Sequence, residues 1–171
     1  MLTADEISRM IADVFRLHGK FPRKPEKAFR KFDGKTPYGV HPTFLAMLVA
    51  QEESLAESFR VTSIKALLGH DLLEDTTAPL PEWCKDSRLV ETLIHELTFT
   101  KDQDPLVDIW TRSQWAILLK FYDNVANLMC VGKMPADRVA QRKEHVRKHL
   151  EWVEGRYPGL EIIKIARGLL G

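Results

Sequence analysis

Residues 66–76 read Ala66-Leu67-Leu68-Gly69-His70-Asp71-Leu72-Leu73-Glu74-Asp75-Thr76. An apolar helical run carries His70 and Asp71 near its end. Glu74 stands four residues after His70 and three after Asp71, and Asp75 four after Asp71, so a continuing helix puts all four polar side chains on one face. Three carboxylates and an imidazole crowded in this way repel one another unless protons or a cation neutralise them. A metal ion does this well.

The helical period extends in both directions from this stretch. Thr3-Ala4-Asp5-Glu6 has the form of a capping box, and Ile7, Met10, Ile11, Val14 and Leu17 follow at helical spacing until Gly19. Pro22, Pro25, Gly34 and Pro37 punctuate a connecting stretch, and Pro42 suits the first position of a second helix that turns Leu45, Leu48 and Val49 inward. A third helix is predicted from about Thr62 to His70-Asp71, then helices over 87–97, 113–129 and 135–156, and a short tail helix over 161–169. No convincing alternating strand pattern, internal repeat or low-complexity segment appears. The fold class expected is all-α, with 171 residues forming one domain over 1–171 and one sizeable core.

Composition narrows the function. The chain is 44% apolar and 29% charged, with a net charge of +1. It contains no membrane-length apolar run, and its N-terminus lacks the order of a signal peptide, so a cytoplasmic protein is expected. Cys84 and Cys130 form no C-x-x-C pair and read as reduced core thiols. The charge is uneven. Between Lys20 and Lys35 seven basic residues face two acidic ones, and between Lys133 and His149 six face two, which leaves the remainder acidic. Two basic islands on an acidic chain suit a compact polyanion better than duplex nucleic acid, the other reading being solvated helix faces. In the second island Arg138, Arg142, His145 and His149 share one helical stripe beside the apolar Val139, Val146, Leu150 and Val153. That stripe is either the lip of a polyphosphate pocket or the exposed side of an amphipathic helix.

Two further positions belong with His70 and Asp71. His41 precedes Pro42, whose fixed φ pins the start of the helix. Asp123 lies among Leu118, Leu119, Phe121, Val125 and Leu128, with Lys120 three residues before it and Asn127 four after it. A carboxylate in such surroundings needs a partner. His41, His70, Asp71 and Asp123 together make a mixed nitrogen and oxygen set that suits manganese or iron, with zinc possible.

This H…HD…D pattern resembles the signature of the HD metal-dependent phosphohydrolases. Thr36-Pro37-Tyr38-Gly39-Val40-His41-Pro42 is similar to the TPYxxHP entry of the RelA/SpoT-type alarmone hydrolases, and residues 66–76 are similar to their ALLHDxxEDT with Gly69 inserted. Lys120-Phe121-Tyr122-Asp123-Asn124-Val125-Ala126-Asn127-Leu128 is similar to their KLADxxxNL. The resemblance covers about residues 1–157, leaving 158–171 as a tail helix. It implies a single HD-domain helical bundle and a stand-alone small hydrolase that removes 3′-pyrophosphate from guanosine tetra- or pentaphosphate (ppGpp-type alarmones of the stringent response). It further implies a manganese ion on the residues matching His41, His70, Asp71 and Asp123, with Glu74 and Asp75 setting up water and handling protons. Asn127 matches a residue near the substrate phosphates, and Arg30 and Lys31 match a basic pair that packs on the base. Phe121 and Tyr122 depart from the family's Leu-Ala, Asn124 replaces a basic residue, and His149 stands where some members place a ligand-binding tyrosine. These departures bear on the choice between guanine and adenine. The other classes open to the sequence are an HD phosphomonoesterase acting on nucleotides and a non-catalytic nucleotide-binding regulator.

Overall fold

The computed structural model describes residues 2–31, 33–132 and 134–171, so Lys133 of the second basic island lies outside the described residues. Eight helices follow in chain order: α1 Ala4–Lys20, α2 Val40–Ala50, α3 Glu57–Gly69, α4 Leu72–Asp75, α5 Arg88–Leu97, α6 Gln114–Met129, α7 Ala136–Glu154 and α8 Glu161–Leu170. The described residues contain no strand, only the isolated bridges Pro22 to Thr76 and Phe29 to Pro37. The fold is all-α.

Helix ends follow local chemistry. Thr3 and Glu6 form the expected capping box on α1, and the Ser113 hydroxyl accepts from the Ala116 amide at the start of α6. Differences from the sequence reading sit mainly at boundaries. Helix α3 starts at Glu57, five residues before Thr62, and α2 starts at Val40, two before Pro42. Proline is tolerated there because amides of the first turn have no intrahelical partner anyway. Three short 3-10 turns, over 25–28, 82–84 and 108–111, escaped the periodicity because they are shorter than one apolar repeat.

Helix α6 runs through the middle, packed against α2, α5, α7 and α8, and most of its residues are buried. Its two bulky departures from the family pattern are fully buried. Phe121 fills the core, and the Tyr122 hydroxyl donates to Glu52 Oε1 at 2.8 Å. Glu52, itself buried, also accepts the amides of Glu161 (2.8 Å) and Ile162 (3.0 Å) at the start of α8. A carboxylate at a helix N-terminus is favourable both as cap and by the helix dipole. Tyr122 and Glu52 thus clamp the tail helix to the centre of the bundle. Glu52 carried no recognisable signal in the sequence, since a lone glutamate after a helix reads as solvated.

Gly69, the inserted residue, has a packing role. A Cβ built on it would lie 2.8 Å from Ile94 Cδ1 and 3.0 Å from Cys84 Sγ, both on fully buried residues. The absent side chain lets the end of α3 approach α5. Gly69→Ala is therefore expected to lose about 1 to 2 kcal/mol of stability, overpacking outweighing any gain in helix propensity. Urea denaturation should show a lower midpoint at unchanged slope. An unchanged midpoint would mean that Ile94 and Cys84 yield freely.

The connection between α1 and α2 lies against the end of α4. The Arg23 amide donates to the Asp75 carbonyl and the Thr77 amide to the Phe21 carbonyl, both at 2.8 Å. A tight turn follows, with Gly34 at φ +67°, where a side chain would be strained, and with Asp33 accepting the amides of Lys35 and Thr36. This turn carries the first basic island to the site. Cys84 is buried as expected, whereas Cys130 is only half-buried and reaches the cleft described below. No described helix is long and apolar enough to cross a membrane.

Candidate active site

His41 stands in the first turn of α2, His70 and Asp71 at the joint between α3 and α4, and Asp123 midway along α6. Packing of α2 against α3 and α6 brings these three places together. One donor atom each from His41, His70 and Asp71 falls within 4.8 Å of the others, and Asp123 Oδ1 lies 2.9 Å from His41 Nε2. The predicted four-residue set is one cluster, but the helix is not continuous through it. It breaks at His70-Asp71 and resumes as the single turn α4.

The donor set suits a divalent cation. The His70 Nδ1 hydrogen points at the Leu67 carbonyl (2.7 Å), which can only accept, so Nε2 is the atom turned inward, where it can carry a second proton or offer its lone pair to a cation. That buried atom has no aligned hydrogen bond among the described residues, although Asp71 Oδ2 is 3.0 Å away. Burial alone would lower the His70 pKa, but the Asp71 carboxylate overrides it and holds the value up to about 9. A proton on this imidazole thus does what a cation would do in its place. For Asp123 burial works in the opposite sense, and the Lys120 ammonium (2.7 Å) with His41 holds the carboxyl well below the usual range. One buried orphaned nitrogen beside two ionised carboxylates fits a hard or borderline metal ion.

A second layer of contacts holds the carboxylates in place. The Tyr38 hydroxyl donates to Asp71 Oδ2 (2.8 Å), and Asn127 Nδ2 donates to Asp123 Oδ1 (2.6 Å). Arg30, buried, donates to Asn127 Oδ1 (2.7 Å) and lies 5.3 Å from the centre of the Tyr38 ring. The chain Asp71, Tyr38, Arg30, Asn127, Asp123 therefore links both carboxylates. Tyr38 stands inside the entry motif with no role that spacing assigns, yet a half-buried phenol needs a partner, and that requirement marks it. The ring of His18 stacks on Tyr38 at 4.7 Å, and its own nitrogens find no partner among the described residues. Burial drops the His18 pKa to about 4 and keeps it neutral, in line with a structural role.

The cluster opens into a cleft of about 640 Å³. His41, Asp71, Glu74 and Asp123 line its floor, Lys27, Arg30, Lys31 and Lys120 one part of the wall, and Arg138, Arg142 and His145 another. Among the described residues, six lysines and arginines thus face three carboxylates. The two islands, far apart in sequence, meet across this space, and the stripe on α7 does border it as far as His145. His149 does not reach the cleft. It is buried one turn further along α7, with Nδ1 3.0 Å from Asn124 Nδ2 and its ring against Trp110. His149 shares the helical stripe of Arg138, Arg142 and His145, but the wall of the cleft ends before its turn.

The two acidic residues of the motif also separate. Glu74 lines the cleft, with Oε1 accepting the Phe99 amide at 2.5 Å, and burial raises its pKa. Asp75 is 2% exposed, pairs with Lys27, and does not line the cleft. Its place is under the wall, where it anchors Lys27. Arg30 lines the cleft, and its guanidinium also donates to Asn127 and lies over the Tyr38 ring.

No family model matches the sequence, and no curated protein matches it. A solved structure does. The chain is similar to one described as a metazoan ortholog of SpoT that hydrolyzes ppGpp and plays a role in starvation responses, with a TM-score of 0.70, 18% identity, and coverage of 99% of this chain and 96% of that one. The likeness extends over essentially the whole of both chains and establishes the fold as the helical bundle of the HD domain.

Proposed function

We propose that this HD-fold protein is a manganese-dependent pyrophosphohydrolase that removes the 3′-pyrophosphate of guanosine 3′,5′-bis(diphosphate)-type nucleotides. The observation that carries the reading is the cluster of His41, His70, Asp71 and Asp123, three of which (His41, Asp71 and Asp123) line a cleft that also has six cations among its described lining. The reported ppGpp hydrolysis by a protein of the same fold supports it. His41, His70, Asp71 and Asp123 would hold the divalent ion, which supplies Lewis acidity at the phosphoryl oxygens and acidifies water.

The protein's own groups do the rest. Glu74, held by the Phe99 amide, takes a proton from the attacking water, and burial brings its pKa closer to neutrality, where a general base works best. Lys120, tied to Asp123 at the edge of the cleft, faces the scissile pyrophosphate as a fixed positive charge. Arg138 and Arg142 take the second pyrophosphate, and Asn127 and Arg30 keep Asp123 and Asp71 in register. Water adds to the α-phosphorus of the 3′-pyrophosphate, the one bonded to the 3′ oxygen. The bond between that phosphorus and the 3′ oxygen breaks, the 3′ oxygen takes up the proton that Glu74 removed from the water, and guanosine 5′-diphosphate and pyrophosphate are released.

Incubating the protein with Mn²⁺ and guanosine 3′,5′-bis(diphosphate) is expected to yield guanosine 5′-diphosphate and pyrophosphate in equal amounts. The adenosine counterpart should compete. Orthophosphate as the released product would overturn this reading in favour of a phosphomonoesterase, and binding without turnover would favour a regulator.

A further inference from the structure

Among the described helices, only α2 contains no lysine, arginine, aspartate or glutamate. A helix that is apolar on every side belongs in an interior. Helices α1, α3 and α6 pack against α2, yet its outer stripe lies open, with Val40 41% and Met47 55% exposed and the half-buried Phe44 between them. These three residues stand at i, i+4 and i+7, within about 60° of one another around the helix. We infer that the stripe is the contact surface of a two-fold symmetric pair, in which the α2 helices of two copies of this chain lie antiparallel against each other.

The apolar area continues beyond the helix. A Cβ built on Gly39 would lie 2.9 Å from the ring of Phe15, so this exposed side chain of α1 rests directly beside Val40. Phe29, also exposed, is bridged to Pro37, two residues before Gly39. Phe15, Phe29, Val40 and Met47 thus gather on one side of the protein, and a contiguous patch of this kind marks an interaction surface. The Thr43 hydroxyl, the polar group nearest the middle of the stripe, already donates to the Gly39 carbonyl at 2.8 Å. Covering it therefore leaves no new donor unpaired. None of these residues lines the cleft, so the pairing does not occupy the cleft of either copy. It braces from outside the helix that carries His41 on its inner side.

The charges around the patch identify the occupant. They stand at its two ends with an uncharged helix between. The first basic island leads into α2, with exposed Lys35 in the turn closed by the Phe29 to Pro37 bridge and exposed Lys20 at the end of α1, the end that Phe15 shares. Exposed Glu53 follows the last turn of α2. A surface that is basic at one end, acidic at the other and apolar between is complementary to itself when turned end for end. A two-fold contact has this requirement, because the same patch serves both partners. With the axis across the middle of α2, near Phe44, the basic end of each copy meets the acidic end of the other, and Val40 meets Met47. The helix dipoles are then opposed head to tail, which is favourable as well. An axis along α2 would instead bring like ends together.

Light scattering and sedimentation of the full chain test the pairing with neither nucleotide nor metal present, so the outcome is independent of the proposed reaction. At about 100 µM the protein is expected to show the mass of two chains, moving toward one on dilution. Met47→Glu places a charge in the apolar contact twice over, once from each copy. It should weaken association at least about a hundredfold while the circular dichroism spectrum stays unchanged, since Met47 is exposed in the single chain. Leu89→Glu, at an exposed apolar residue of α5, is the control and should leave association as it is. Glu53→Lys should weaken it about threefold by setting like charges at both ends. A single chain at about 100 µM, no effect of Met47→Glu, or an equal effect of Leu89→Glu would each overturn the pairing. An unchanged affinity in Glu53→Lys would overturn the antiparallel arrangement. If Met47→Glu does not fold, the uncharged Met47→Gln decides in its place, with a loss of about tenfold expected.

Discussion

His70→Ala is expected to strip the protein of its divalent ion and to lower hydrolysis by about 10³-fold or more, since a bound metal supplies several kcal/mol of transition-state stabilisation. The ring being removed is the one whose Nδ1 is fixed by the Leu67 carbonyl and whose Nε2 is left orphaned beside Asp71. Without it two carboxylates and His41 remain, a set short of one neutral nitrogen donor, and Asp71 loses the group that offsets its burial. Metal analysis after dialysis should fall from about one ion per chain to near none. Because a truncated core side chain also leaves a cavity, Asp123→Asn serves as a second, nearly isosteric variant with the same expected loss of metal. Full occupancy in both variants, with the helical fold intact, would rule out this ligand set.

What could be read before folding was whatever depends on local spacing. The period of Ile7, Met10, Ile11, Val14 and Leu17 is a property of one helix, and α1 stands where it was placed to within a residue of its end. His70 and Asp71 are adjacent, so their common fate was visible, and Asp123 announced itself as a charge among apolar neighbours. The partners of those residues were harder to see because they are distant in sequence. Tyr38 meets Asp71 across 33 residues, Arg30 meets Asn127 across 97, and Glu52 meets the start of α8 across 109 or more. No periodicity encodes such pairs. That His149 lies one turn beyond the main cleft was illegible for the same reason, since a helical wheel gives the angle of a side chain but not the point along the axis where a cleft stops.

The separation of Glu74 from Asp75 distinguishes two carboxylates that the motif treats alike. Adjacent residues on one turn point about 100° apart, so one can face the cleft while the other goes under its wall. Glu74 lines the cleft and Asp75 is buried against Lys27. A proton acceptor must reach the water it serves, which singles out Glu74. Glu74→Gln keeps an oxygen for the Phe99 amide, so the side chain and the segment it holds should stay in place. The amide nevertheless cannot take up a proton at neutral pH. The variant is expected to retain its divalent ion and its substrate affinity while kcat drops by about 10²- to 10⁴-fold, the usual worth of a positioned acid–base group. Single-turnover kinetics with metal analysis on the same sample separate the two effects. Near-normal kcat would reduce Glu74 to a strut for Phe99, and a parallel loss of metal would move it into the ligand set beside Asp71.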